Sequence, residues 1–309
     1  ILRGRLSAVV IREERPDPDS RLVENAEKNL EIINHCCANT KILSIDVFAD
    51  DGAVIAGQSI VSSVAGIDVY VFTDIVIDIS ALSVGVSFPV VSYFYEYAKS
   101  KGQGVNVHLF VISNPEFDKH INSEANDSVS SIRGFDLPNL HGDRGKPKLW
   151  LPTLSHSGIN SLKKIYAHIQ PQDICPILPF PSENPKKGDD LAFTIFDGIG
   201  TDWGSPLNND WGLDPRNFLY ADERKPLDIY RTIIRIDEER VPVFEIMGGS
   251  TIILSPSGGK VPSIGVLMAA LERKFPIFYV ESLNYNVDWN EIHETEEDMS
   301  EMVHVWLYG

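Results

Sequence analysis

Thr251-Ile252-Ile253-Leu254-Ser255-Pro256-Ser257-Gly258-Gly259-Lys260-Val261-Pro262-Ser263, with Pro276-Ile277-Phe278-Tyr279-Val280 beyond it, is the stretch whose reading decides the fold. Residues 251–254 form a short, continuous β-branched run, the pattern of a strand buried on both faces. Small residues then make a turn, apolar residues recur three and four apart over 263–273 as on the buried stripe of a helix, and 277–280 reads as a second buried strand. Strand, helix and strand make one βαβ unit, and such a crossover joins parallel strands. The turn therefore sits at the carboxyl end of its strand, where the next helix offers unpaired N–H groups and the positive end of its dipole. Gly258 and Gly259 let the backbone approach an anion and Lys260 adds a point charge, so Ser255, Ser257, Gly258, Gly259 and Lys260 are expected to hold a phosphate. The competing reading is a tight turn with Lys260 solvated. The spacing is neither GxGxxG nor GxxxxGK[ST], since Val261 follows the lysine, and magnesium-dependent NTP hydrolysis is not indicated.

The same alternation runs outward from this unit. Further strands are predicted at 8–11, 41–48, 69–79, 105–112, 174–180 and 217–220, and helices at 20–35, 87–101, 159–169 and 227–235. The pattern predicts an α/β, Rossmann-like fold: a mostly parallel sheet with helices on both faces, in two related halves. The polar stretch 123–147 reads as a surface loop or interdomain link, giving an N-terminal half at 1–147 and a C-terminal half at 148–309 that carries the Gly-Gly-Lys turn. Residues 198–217, with Trp203, Trp211, Gly204, Gly212, Pro206 and Pro215, read as an ordered cover. The acidic tail after Trp289 reads as a solvated helix face.

Of 309 residues, 43% are hydrophobic and 9% aromatic, a globular composition. Lys and Arg total 27 against 44 Asp and Glu, and a net charge of -17 disfavours attraction to bulk nucleic acid or anionic membranes, while leaving room for a focused cationic pocket. The three cysteines, Cys36, Cys37 and Cys175, fit neither a disulfide framework nor a paired zinc motif, so a reducing, cytoplasmic setting is expected. No run approaches the roughly 18 apolar residues of a membrane span.

The run from Ile253 to Lys260, then Ile264-Gly265, Ala269-Ala270-Leu271 and 276–280, resembles the strand-GGxK-helix-strand segment of CRISPR-associated Rossmann fold (CARF) sensor domains. The likeness covers about thirty residues. That family usually carries Thr around the glycine pair, whereas here Pro256-Ser257 precede it and no Thr separates Gly259 from Lys260. The resemblance implies a nucleotide-sensing, CARF-like module of prokaryotic antiviral defence. Its ligand would be a phosphorylated small molecule or cyclic oligonucleotide, held at a homodimer interface, with a separate effector protein as a further partner and no cofactor.

Asp78 and Ser80 end the predicted strand before the helix at 87, well placed to meet a ligand. The resemblance makes Ser80 and Ser83 ligand hydroxyls. The alternative is that Ser83 or Ser87 caps the helix while Asp78 bonds local amides. After the strand at 217–220, Arg224 either clamps a phosphate or pairs with Asp222 or Glu223. Phe180 is expected in the core, with base stacking as the alternative. Arg12 to Asp19, with alternating charge, is expected to be a solvated loop. His35 beside Cys36-Cys37, and His108 in an apolar strand, lack a second pair at ligand spacing, so no metal is expected. His141, Asp143, Arg144 and His156 lie in loop sequence, and nothing pairs them with a nucleophile. Two other functions fit the sequence: a nucleotide or sugar-phosphate hydrolase or phosphodiesterase using Asp78, Asp222, Glu223 and Lys260, and a non-catalytic Rossmann-like adaptor.

Overall fold

In the computed structural model, residues 6–102, 104–118, 120–137, 146–155, 158–197, 214–290, 292 and 300–309 are described. Residues 198–213 of the predicted cover loop, His141, Asp143, Arg144, His156 and most of the acidic tail lie outside them. The elements are β1 (Ser7–Glu14), α1 (Ser20–Cys36), β2 (Asn39–Asp46), α2 (Ala56–Ala65), β3 (Asp74–Asp78), α3 (Val84–Lys101), β4 (Asn106–Ser113), α4 (Pro115–Asp118), β5 (Ile121–Ser131) and β6 (Lys148–Pro152). They continue as α5 (Ile159–Ile169), β7 (Asp173–Ile174), β8 (Ile177–Pro179), α6 (Lys187–Asp197), β9 (Leu219–Ala221), α7 (Pro226–Phe244), β10 (Thr251–Ser255), α8 (Lys260–Arg273), β11 (Phe278–Val287) and β12 (Glu301–Tyr308). The protein is a mixed α/β chain with mostly parallel strand pairs.

The chain forms two compact units, Ile1–Asn126 with Glu281–Gly309, and Asp127–Val280. It crosses between them twice, rather than once near residue 147, and the C-terminal strand folds with the first unit. Two other expectations change. Residues 123–131, read as loop, belong to β5, and residues 301–308, read as part of a solvated helix face, form strand β12. Val303, Val305 and Leu307 alternate with exposed residues there, a period of two that the acidic residues before them obscure.

In the first unit β1 pairs with β2 in parallel, and a second sheet has the order β12-β4-β3, with β3 parallel and β12 antiparallel to β4. Val107, Leu109 and Val111 of β4 are fully buried, as are Val86, Phe88 and Val91 of α3. The other face of this sheet carries exposed Val76, Ile112, Met302 and Trp306.

The second unit has a more regular order. β10 pairs with β6, β6 with β7, and β8 with β9, all parallel; single parallel bridges join Thr153 to Ile177 and Leu254 to Ile277. β7 and β8 are thus one strand interrupted at Cys175-Pro176, and the spatial order is β9, β7/β8, β6, β10, with the start of β11 beside β10. Trp150, Ile174, Leu178, Ile253 and Phe278 meet Leu162, Ile165 and Ile169 of α5 and Leu191 of α6. The alternate residues Leu149, Leu151, Ile252 and Leu254 are equally buried, so both faces of this sheet are covered. α7 and α8 pack closely at Gly265, where a Cβ would lie 2.4 Å from the Pro226 carbonyl oxygen.

Candidate functional site

β6 is the centre of the second unit. From it the chain moves outward through β7/β8 to β9, then returns through α7 to β10 on the other side of β6. The carboxyl ends of β6 and β10 therefore flank the point where the strand order reverses, the place where open α/β sheets leave a crevice. Ser255-Pro256-Ser257-Gly258-Gly259-Lys260 leaves β10 at this point, and Thr153-Leu154-Ser155 leaves β6 beside it.

The two loops are fastened together. Thr153 Oγ1 accepts from the amides of Ser257 at 2.9 Å and Gly258 at 3.0 Å, and the Ser155 hydroxyl donates to the Ser257 carbonyl. Beneath them the Trp150 indole N–H donates to Ser255 Oγ at 3.0 Å. Ser255, 1% exposed, is thus a partner of the core tryptophan under the loop. A Cβ on Gly258 would make van der Waals contact with Thr153 Oγ1, at 3.4 Å. Gly259 is extended, exposed and the N-cap of α8, with no side chain to cap the helix. Neither glycine is at positive φ, so the pair provides space and approach rather than a left-handed turn. Lys260 is the half-buried first residue of α8. The start of α5 is also here: a Cβ on Gly158 would lie 2.0 Å from Ser257 Oγ. Two helix N-termini thus converge beside one glycine pair, a setting that favours an anion electrostatically.

Thr153 and Ser155 were not singled out from sequence. The signal was the run Leu149-Trp150-Leu151, bounded by Pro147 and Pro152 and too short to show a period.

The β9–α7 loop lies three strand spacings from β10, about 14 Å. Asp222 accepts from the Arg224 amide at 3.0 Å and pairs with Lys225 at 2.9 Å. Burial alone would raise its carboxyl, but these partners bring it below its ordinary value. Glu223 pairs with Lys187 at 2.5 Å and accepts from the Glu183 amide. The Arg224 side chain is exposed and forms no ion pair with either acid. Phe180, expected in the core, is 57% exposed and meets Tyr220 edge to face at 6.2 Å. It lies one residue beyond β8, whose last strand position is Pro179, and so escapes the cover that α6 gives Leu178.

Asp78, Ser80 and Ser83 belong to the first unit. Asp78 Oδ1 accepts from the Ser80 amide at 2.9 Å and its hydroxyl at 2.6 Å, and Ser80 Oγ accepts from the Ile112 amide at 2.8 Å. Ser80 therefore has a local structural role. Ser83 is the N-cap of α3 but forms no side-chain cap bond; its amide donates to Glu13 Oε1 at 2.7 Å, and its buried hydroxyl has no protein partner.

Glu13 belongs to a stretch expected to be solvated, and the structure places it otherwise. Arg15 and Glu13 side chains are only 8% and 11% exposed. Arg15 pairs with Glu13 at 2.7 Å and Glu281 at 2.9 Å, donates to the Ser282 carbonyl and lies over the Tyr285 ring. Burial raises the Glu281 carboxyl above its ordinary value, against the pull of Arg15. Arg12 and Glu14 point the other way and remain at the surface. Alternation along β1 separates the buried charges from the exposed ones.

No protein-family model matches the chain, and no curated protein sequence matches it significantly. Among the described residues no group of three His, Cys, Asp or Glu side chains could hold a metal ion. His35 bonds the Glu31 carbonyl, and His108 lies between His304 at 3.0 Å and Asp74 at 3.4 Å. Burial pushes the Cys175 thiol up to about 11, which disfavours a reactive thiolate. No helix among the described residues is long and apolar enough to cross a membrane.

Proposed function

We propose that the chain is a nucleotide-sensing module and that the second unit takes a phosphorylated ligand at the Gly258-Gly259-Lys260 turn. The observation that carries this reading is the position of the turn. It leaves the strand beside the topological reversal, is held by Thr153 and Ser155, and lies where the N-termini of α5 and α8 meet. In a Rossmann-like half this is where a phosphate is bound. The first unit carries a comparable device: Glu13, at the end of β1, accepts from the Ser83 amide as Thr153, just past β6, accepts from Ser257 and Gly258. That parallel favours two related halves.

Ligand selection follows from the charge distribution. A chain with a net charge of -17 repels long polyanions, whereas a small ligand needs only the local field of two helix ends and Lys260. Cyclic oligonucleotides, and a place in prokaryotic antiviral defence, are the specific form of the proposal. The hydrolase reading is weaker, because Asp222 and Glu223 are occupied by Lys225 and Lys187 and lie on the far side of the sheet from Lys260. The test is a thermal-shift panel of mononucleotides and linear and cyclic oligonucleotides on wild type, Lys260→Ala and Gly259→Ala. A Cβ at Gly259 makes only ordinary contact, 3.8 Å from Pro262 Cδ, so that variant should fold normally. A ligand that stabilises wild type and loses about tenfold in affinity in both variants supports the site. Equal stabilisation of all three proteins refutes it.

A further inference from the structure

Strand β12 lies at the end of the order β12-β4-β3, and among the described residues no strand pairs with its outer edge. Native edge strands are usually blunted by lysine, proline, shortness or a bulge. β12 runs from Glu301 to Tyr308 without Lys, Arg or Pro, and its one register irregularity falls at the far end, between Trp306 and Tyr308. Its exposed side chains are large, Met302 at 67% and Trp306 at 63%, on either side of His304.

We infer that β12 pairs antiparallel with β12 of a second copy of this chain. The side-chain order is self-complementary about His304: with a two-fold axis there, Met302 falls opposite Trp306 of the second copy, and Trp306 opposite its Met302, on the same sheet face. The charges agree. Glu301 is paired with Ser113 two residues before the Val303–Val111 pair, and so lies on the face that carries α3. At the other end of β12 the Tyr308 ring meets Tyr95 of α3 at 5.8 Å, and exposed Lys99 lies over Tyr95 at 5.9 Å. The two-fold brings Glu301 of one copy beside the Tyr308 end of the other, on the face where Lys99 stands, and does so twice. The pairing concerns the edge of the first unit and is independent of any ligand at the Gly258-Gly259-Lys260 turn.

A second copy fits better than an unrelated strand because both halves of the contact are already present: an apolar pair that exchanges partners across the axis, and one acid matched by one base. Glu301 is the only acidic side chain on β12, which limits the repulsion between two chains of net charge -17 along this line. Sedimentation equilibrium of the full chain, with the charge-swap variants Glu301→Lys, Lys99→Glu and the two together, tests this. The expected result is a dimeric wild type, single variants that dissociate about tenfold more readily, and a double variant that regains the dimer. The exchanged residues are exposed, so loss of fold is not expected, and circular dichroism checks it. A monomeric wild type, singles that dimerise as well as wild type, or a double variant as weak as the singles would each overturn the inference.

Discussion

At the residue scale, Thr153 fastens the loop after β10 to the end of β6. Its hydroxyl serves two loop amides, and Thr153→Val keeps the shape while removing the acceptor. The expected loss is about 1–3 kcal/mol in denaturant unfolding, together with weaker ligand binding, because the amides of Ser257 and Gly258 are left without their partner. A variant as stable as wild type would show that water or a rearranged loop replaces the contact. Glu281 gives a pH signature in the first unit. Its folded-state proton affinity is raised by burial above the ordinary 4.5, so the folded state holds that proton more tightly than the unfolded chain. Its contribution to stability is fully present below the ordinary value and is lost as pH rises through the raised one. Glu281→Gln should flatten the decline in melting temperature over that interval, measured by calorimetry at stepped pH, and an unchanged slope would place the titration elsewhere.

At the element scale, the helices with a clear apolar stripe and the continuous buried strands were legible in the sequence. Residues 159–169 form a helix with the predicted bounds, and 251–254 form a strand. α7 extends well past the predicted 235, with Pro242 inside it, and α8 begins at Lys260 rather than 263. What was not legible had little local signal. β6 is five residues ending in proline, and β5 and β12 are strands whose polar or acidic surroundings mask their period of two. The residues proposed to hold a phosphate stand out in the sequence because glycine and lysine are conspicuous there, whereas Thr153 was missed because its contact comes from parallel pairing with a strand about a hundred positions later. Helix packing gives the prediction at this scale. Gly265 is required by the approach of α7, so Gly265→Ala should destabilise by about 1–3 kcal/mol in urea unfolding, through overpacking against Pro226 and Ile229. A neutral effect would mean that the two helices separate at little cost.

At the scale of the whole molecule, each unit carries its own tie between the end of a strand and the start of a helix. Glu13 provides it in the unit that contains Ile1–Asn126, and Thr153 provides it in Asp127–Val280. In the first unit the tie ends on a buried arginine and two glutamates; in the second it holds a glycine pair against two helix ends. The proposed anion site therefore belongs to the second unit, although the overall charge is strongly negative. The most direct measurement is native mass spectrometry of the gently purified protein, wild type and Lys260→Ala side by side. The account predicts a phosphorylated small molecule retained by wild type and lost, or reduced about tenfold in occupancy, from the variant. A wild-type protein that carries no phosphorylated mass, or a mass kept equally by Lys260→Ala, would contradict it.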